Sequence, residues 1–309
     1  MRIGLVSVDS KIINYALAKI SAYHKSKGDS VEWANPLFGE YDKVFMSKIF
    51  TFTPDDTNCY NTKEIVRGGT GYGDYTKVLP PEIDRLQPDY SLYPEIDSKT
   101  AYGFLTRGCP NKCFWCCVPE KEGNIKPYMD IDEISMGGGR NKIILFDNNI
   151  IACDYGIEQL ENVVKKKYRI DVNQASDARL MTEDIAKIYA QIRWLTPIRF
   201  GCDIPAQISH CEKAMKMIDS YCETPKSYLL YTMIHGDIKE NYERLTYFRS
   251  FPRVRLVAQP FRDLHNLNQV IPQWQKDMAR WAMRRELYTT CDFKEFEPRK
   301  GFKCKEYLK

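Results

Sequence analysis

Three cysteines, Cys109, Cys113 and Cys116, stand four and three residues apart in the run Arg107-Gly108-Cys109-Pro110-Asn111-Lys112-Cys113-Phe114-Trp115-Cys116. Thiolates at that spacing can grip a single centre, and soft sulfur ligands select zinc, copper(I) or an iron–sulfur cluster. A structural zinc site would need closing by a fourth Cys or His, and no His occurs between Cys116 and His210. Three ligands with an open fourth position point to chemistry at the centre. Structural zinc, or three cysteines packed as small apolar residues, are the alternatives.

The Cys-x3-Cys-x2-Cys pattern, with Trp115 directly before the third cysteine, resembles the signature of the radical S-adenosylmethionine superfamily. The resemblance implies a 4Fe-4S cluster on Cys109, Cys113 and Cys116, whose open iron binds the amino and carboxylate groups of S-adenosylmethionine, with Trp115 beside the adenine. It also implies reductive cleavage of that cofactor to methionine and a 5'-deoxyadenosyl radical, which takes a hydrogen atom from a substrate the motif does not identify. A flavodoxin- or ferredoxin-like one-electron reductant is the implied partner.

A loop of this kind must be delivered by a scaffold. Strands are expected at 101–106, 142–146, 168–173, 197–200, 226–233 and 253–258, with helices near 132–136, 156–166, 182–191, 207–220 and 238–248. Six βα units over 99–262 match the partial (β/α)6 TIM-type barrel of the superfamily, and such barrels carry their chemistry at the C-terminal ends of the strands. Polar residues at those ends are therefore candidate cofactor contacts. Asp147 and Asn148 follow the second strand and resemble the Asp-Asp-Asn variant of the cobalamin-type branch; a plain Asx turn is the alternative. Gln174 and Arg179 follow the third, and Arg179 stands where relatives carry an Arg that pairs with the methionine carboxylate. Asp203 follows the fourth in place of the family's Glu, Gly236 forms a turn after the fifth beside His235, and Gln259 ends the sixth.

Residues 1–98 read as a small parallel α/β unit, with strands at 2–8, 31–33, 43–47 and 64–69 and a helix through Ala16, Leu17, Ile20 and Tyr23 that stops at Gly28. The layout resembles the Rossmann-like cobalamin-binding domain that precedes the radical domain in one branch of the superfamily. The Asp-x-His-x-x-Gly ligand motif of that branch is missing; His24 lies in Ala22-Tyr23-His24-Lys25-Ser26-Lys27-Gly28. Hydrogen abstraction without cobalamin is the expected activity, and cobalamin-assisted methyl transfer is the runner-up. Four prolines between 80 and 94 suggest an extended connector and place the boundary there.

The net charge is +4, and the segment 276–309 holds ten basic and six acidic residues, a difference equal to that whole excess. A basic tail can approach phosphate, so a noncatalytic, metal-stabilised module that binds nucleic acid is a second alternative. Within 263–309 one helix is expected over 272–288, with Trp274, Met278, Trp281 and Leu287 on its inner side, followed by Phe293, Phe296 and Phe302 as anchors. Cys291 and Cys304 are too few for an auxiliary cluster. Eleven cysteines, an N-terminus that opens a strand and no long apolar run argue for a reducing, cytoplasmic setting without a membrane partner.

Overall fold

The computed structural model describes residues 1–266 and 268–309. β1 (Arg2–Ser7) is an apolar run whose Ile3, Gly4, Leu5 and Val6 are all buried, as suits an inner strand of a parallel sheet. It lies inside a four-stranded sheet with β2 (Ser30–Trp33), β3 (Lys43–Ser47) and β4 (Ile65–Gly68), in the order β2-β1-β3-β4 and parallel throughout. The chain reaches β2 through α1 (Tyr15–Ser26), whose N-terminus is capped by Asn14, the side-chain oxygen accepting from Leu17 N. Leu17 and Ile20 of α1 close over Ile3 and Leu5.

The proline-rich segment is a packed strap and not an extended connector. It holds α2 (Pro81–Asp84) and a 3-10 turn at Tyr90–Leu92, with Ile83 and Tyr93 buried. Pro81 sits at the first helical position, where its missing N–H costs nothing, and Asp89 caps the later turn through Ser91 N. Ile83 packs against the α1 core, and the Tyr93 hydroxyl accepts from Asn14 N.

Six strands of four or more residues follow in chain order: β5 (Thr100–Gly103), β6 (Lys142–Leu145), β7 (Arg169–Val172), β8 (Ile198–Gly201), β9 (Tyr228–Ile234) and β10 (Val254–Pro260). β5, β6 and β7 pair in parallel, as do β8, β9 and β10, and a parallel bridge between Ser176 and Phe200 links the two sets. Sequence neighbours are thus neighbours in space, and all C-terminal ends lie at one edge. Chain segments cross between the strands by α3 (Val118–Glu122) and α4 (Ile131–Ile134), then α5 (Asp154–Lys166), α6 (Glu183–Gln191), α7 (Ile208–Asp219) and α8 (Ile238–Tyr247). The strands alternate as period-2 chemistry requires: in β9, Tyr228, Leu230, Thr232 and Ile234 are buried, whereas Leu229, Tyr231 and Met233 on the opposite face are only partly covered.

Beyond β10, the expected single helix is two, α9 (Gln273–Met283) and α10 (Arg285–Thr290), because Arg284 between them takes an extended conformation (φ −91°, ψ 102°). Met278 and Trp281 are fully buried, with Trp281 Nε1 donating to Cys291 O at 2.8 Å. Phe293, Phe296 and Cys304 join the same continuous core as the strands. Among the described residues, no helix is long and apolar enough to cross a membrane.

Candidate functional site

The cysteine loop leaves β5 at the C-terminal edge of the six strands and is pinned from below by Asp147. One Asp147 oxygen accepts from Leu105 N (3.0 Å), and the other accepts from Thr106 N (2.6 Å) and Thr106 Oγ1 (2.8 Å). The residue is 1% exposed, so its oxygens serve the loop backbone and do not reach a bound ligand. Asp147 was expected as a cofactor contact and is a support instead. Burial pushes its carboxyl up to about 6, against the pull of these same hydrogen bonds.

A second clamp holds the loop from the side. Arg107 makes a two-pronged pair with Glu122 of α3 (2.9 and 2.8 Å), and Gly108 N and Asn148 Nδ2 donate to the same carboxylate at 3.0 and 3.1 Å. Gly108 has φ +85°, and a Cβ there would lie 2.4 Å from Asn124 O, so a side chain would push the loop off α3. Asn148 therefore steadies the loop through Glu122.

The later strand ends meet the loop from above. Asn149, 3% exposed, points Nδ2 at Cys109 Sγ (3.9 Å) and accepts from Asp177 N (3.3 Å). Asp177 accepts from Asn111 Nδ2 of the loop (2.9 Å) and binds Arg179 through both oxygens at 2.8 and 2.6 Å. The Arg179 charge in turn acts on Cys113, pulling its thiol pKa down against the effect of burial. Asp203 accepts from Met233 N (2.7 Å), and burial raises its pKa. Behind it Arg244, 2% exposed, binds Thr232 Oγ1, Met233 O and Asn241 Oδ1 and fixes the turn into His235. Gly236 completes that turn at φ +65° with open space around it.

An aromatic cluster ties the loop to the last two strands. Phe114 lies 4.7 Å from Trp115, 5.4 Å from His235 and 5.6 Å from Phe261, centroid to centroid, and Trp115 is 5.5 Å from His235. Phe114 remains 67% exposed, leaving one face of this cluster to solvent. Gln174 and Gln259 are exposed at their strand ends, and neither side chain is tied to the loop.

The Cys113 thiol is raised in pKa by burial first and then by Cys109, and that of Cys116, although the residue is exposed, is raised as well, with Cys117, Cys113 and Cys109 adding to the shift. The three therefore lie in one another's field. Among the described residues, however, no three His, Cys, Asp or Glu side chains are gathered into an arrangement that would hold a metal ion. In kind and number the donor set suits an iron–sulfur cluster; in this conformation its sulfurs do not converge. Cys291 and Cys304 pack into the core.

Glu122, Asn149, Asp177, Arg244 and Phe261 were not singled out in the sequence. Asn149 had a signal, as the third polar residue of Asp147-Asn148-Asn149; the others become partners only through folding. No family model matches the chain, and no curated protein is significantly similar to it.

Proposed function

We propose that the chain is a radical S-adenosylmethionine enzyme, built as a Rossmann-like region (1–98), a partial (β/α)6 barrel (99–262) and a closing helical segment (263–309). The observation that carries this reading is the position of the Cys-x3-Cys-x2-Cys loop, at the C-terminal edge of six parallel strands in chain order, with side chains from the later strand ends meeting it.

Cys109, Cys113 and Cys116 would hold a 4Fe-4S cluster, which when bound supplies the electron for reductive cleavage of S-adenosylmethionine to methionine and a 5'-deoxyadenosyl radical. The chain's own residues have separate tasks. Asp147 and the Arg107–Glu122 pair fix the loop backbone so that the thiols can close on one centre. Asp177 orients Arg179, whose remaining N–H groups can donate to a carboxylate. The Trp115–Phe114–His235 cluster offers stacking faces for an adenine ring. Gln174 and Gln259, exposed at the rim, supply amides for a polar substrate. Hydrogen abstraction is the reaction proposed. Cobalamin-assisted transfer is not favoured, because the Asp-x-His-x-x-Gly ligand motif of that branch is missing around His24.

The test is 5'-deoxyadenosine release by anaerobically reconstituted protein given dithionite and S-adenosylmethionine, beside a Cys109→Ala, Cys113→Ala, Cys116→Ala triple variant. Release by wild type alone, with about four irons per chain, is expected. Zinc in the wild type, or a cluster that binds no S-adenosylmethionine, would overturn the reading.

A further inference from the structure

The opposite end of the strands carries a second feature that the cysteine loop does not explain. A pocket of about 280 Å³ opens there, between the residues that lead into β8, β9 and β10 and the start of α10. Its charged lining is Arg253, Arg255 and Arg285, with Ser227 beside them. β9 spans seven residues, so this pocket and the cysteine loop are separated by roughly 20 Å of strand.

The three guanidinium groups are not equivalent. Arg253 is anchored: it donates to Lys226 O (3.1 Å) and pairs with Asp219 (3.0 Å). Arg255 and Arg285 make no ion pair and donate no side-chain hydrogen bond among the described residues. The nearby Tyr228 hydroxyl is also committed, to Met215 O and to Asp219, the carboxylate that pairs with Arg253. Asp219 balances Arg253, which leaves Arg255 and Arg285 as two uncompensated like charges at one concavity, and an anion seated between them relieves their repulsion while pairing two otherwise idle guanidinium forks. Planar forks match the paired oxygens of phosphate or carboxylate. A concave pocket, as opposed to an extended basic track, suits a compact ligand.

We propose that this pocket binds a phosphoryl-bearing anion, with Arg255 and Arg285 as its direct contacts and Arg253 as the anchored third. The site is independent of the chemistry assigned to the cysteine loop, and of the basic residues of the C-terminal segment it draws on Arg285. The phosphoryl group can belong to a small phosphate ester or to a short single-stranded nucleic acid; the shared chemistry is an oxyanion with at least two free oxygens.

The experiment is titration calorimetry of the full chain with inorganic pyrophosphate, repeated with a five-nucleotide single-stranded RNA. Wild type, Arg255→Gln, Arg285→Gln and the double variant are compared, with Arg280→Gln outside the pocket as control. All of these arginines except Arg253 lack structural partners, so the variants should fold; circular dichroism checks this. Saturable pyrophosphate binding is expected, weakened tenfold or more by each single variant, absent in the double variant and unchanged in the control. A melting temperature that rises with pyrophosphate in wild type but not in the double variant would agree. Tighter binding of the RNA with the same variant pattern would identify nucleic acid as the source of the phosphate. No saturable binding of either probe by wild type, or binding that survives the double variant, would overturn the proposal.

Discussion

The chain contains two parallel arrays whose C-terminal edges are finished in opposite ways. At the first, β1 to β4, the edge is closed by its own backbone and carboxylates: Asp9 accepts from Ile49 N and Phe50 N (2.9 and 2.8 Å), and Lys48 O accepts from Gly71 N (2.9 Å). At the second, β5 to β10, carboxylates again pin the backbone, but the loop they pin presents three thiols whose only side-chain hydrogen-bond partner among the described residues is Asn149, at Cys109. The same device, an acid accepting loop N–H groups, thus seals one edge and arms the other. What separates them is the side chains the fixed loop carries.

The largest test of this contrast is the triple cysteine variant, which should abolish 5'-deoxyadenosine release while leaving the melting temperature close to wild type. Replacing Cys59, the exposed lone cysteine of the first region, with Ala should change neither. Gly69→Ala should break the sealed edge. Gly69 has φ +98°, and a Cβ there would lie 2.2 Å from Lys48 O, so a loss of about 3 kcal/mol is expected. Chemical denaturation measures it, and iron uptake at the cysteine loop should be retained per folded molecule.

Asp147→Ala attacks the armed edge instead. It leaves Leu105 N, Thr106 N and the Thr106 hydroxyl without their acceptor, at a cost of roughly 3 kcal/mol. Unlike Gly69→Ala, it should also lower iron content per folded chain. The pH dependence has a definite sign. The folded pKa of about 6 exceeds the ordinary value of 3.8, so the native state holds the proton more tightly. Its contribution is therefore fully present below about pH 4 and is lost as pH rises towards 6. Asp147→Asn should remove that slope from denaturation curves.

The smallest effect lies where the two regions meet. Lys19 of α1 is fully buried, donates to Asp84 O and Tyr128 Oη, and sits 4.6 Å from the Tyr15 ring. Burial lowers its pKa from 10.5 to about 8, opposed mainly by Asp84. The unfolded chain then binds the extra proton between those values, so stability should rise with pH across that window, by on the order of 2 kcal/mol. Lys19→Met should flatten the rise.

Strand and helix positions were legible because apolar periodicity is local: β1, α1, β3 and all six later strands fall within a few residues of where the sequence places them. The proline strap and the break at Arg284 were not, since both depend on what packs beneath them. The three cysteines stood out as candidate ligands because spacing along a loop is itself chemical information, whereas the folded loop does not bring their sulfurs together. Asp147 was legible as polar and strand-ending, but its direction was not. Sequence by itself determined which groups sit at each strand end. Only the tertiary structure decided that Asp147 turns inward to hold the loop, that Glu122 and Arg107 clamp it, and that Arg255 and Arg285 share a cavity at the far end. Those outcomes follow from which donors and charges folding brings within reach, across separations of 14 to 42 residues for the Glu122 and Asp147 contacts to the loop, and no local pattern encodes them.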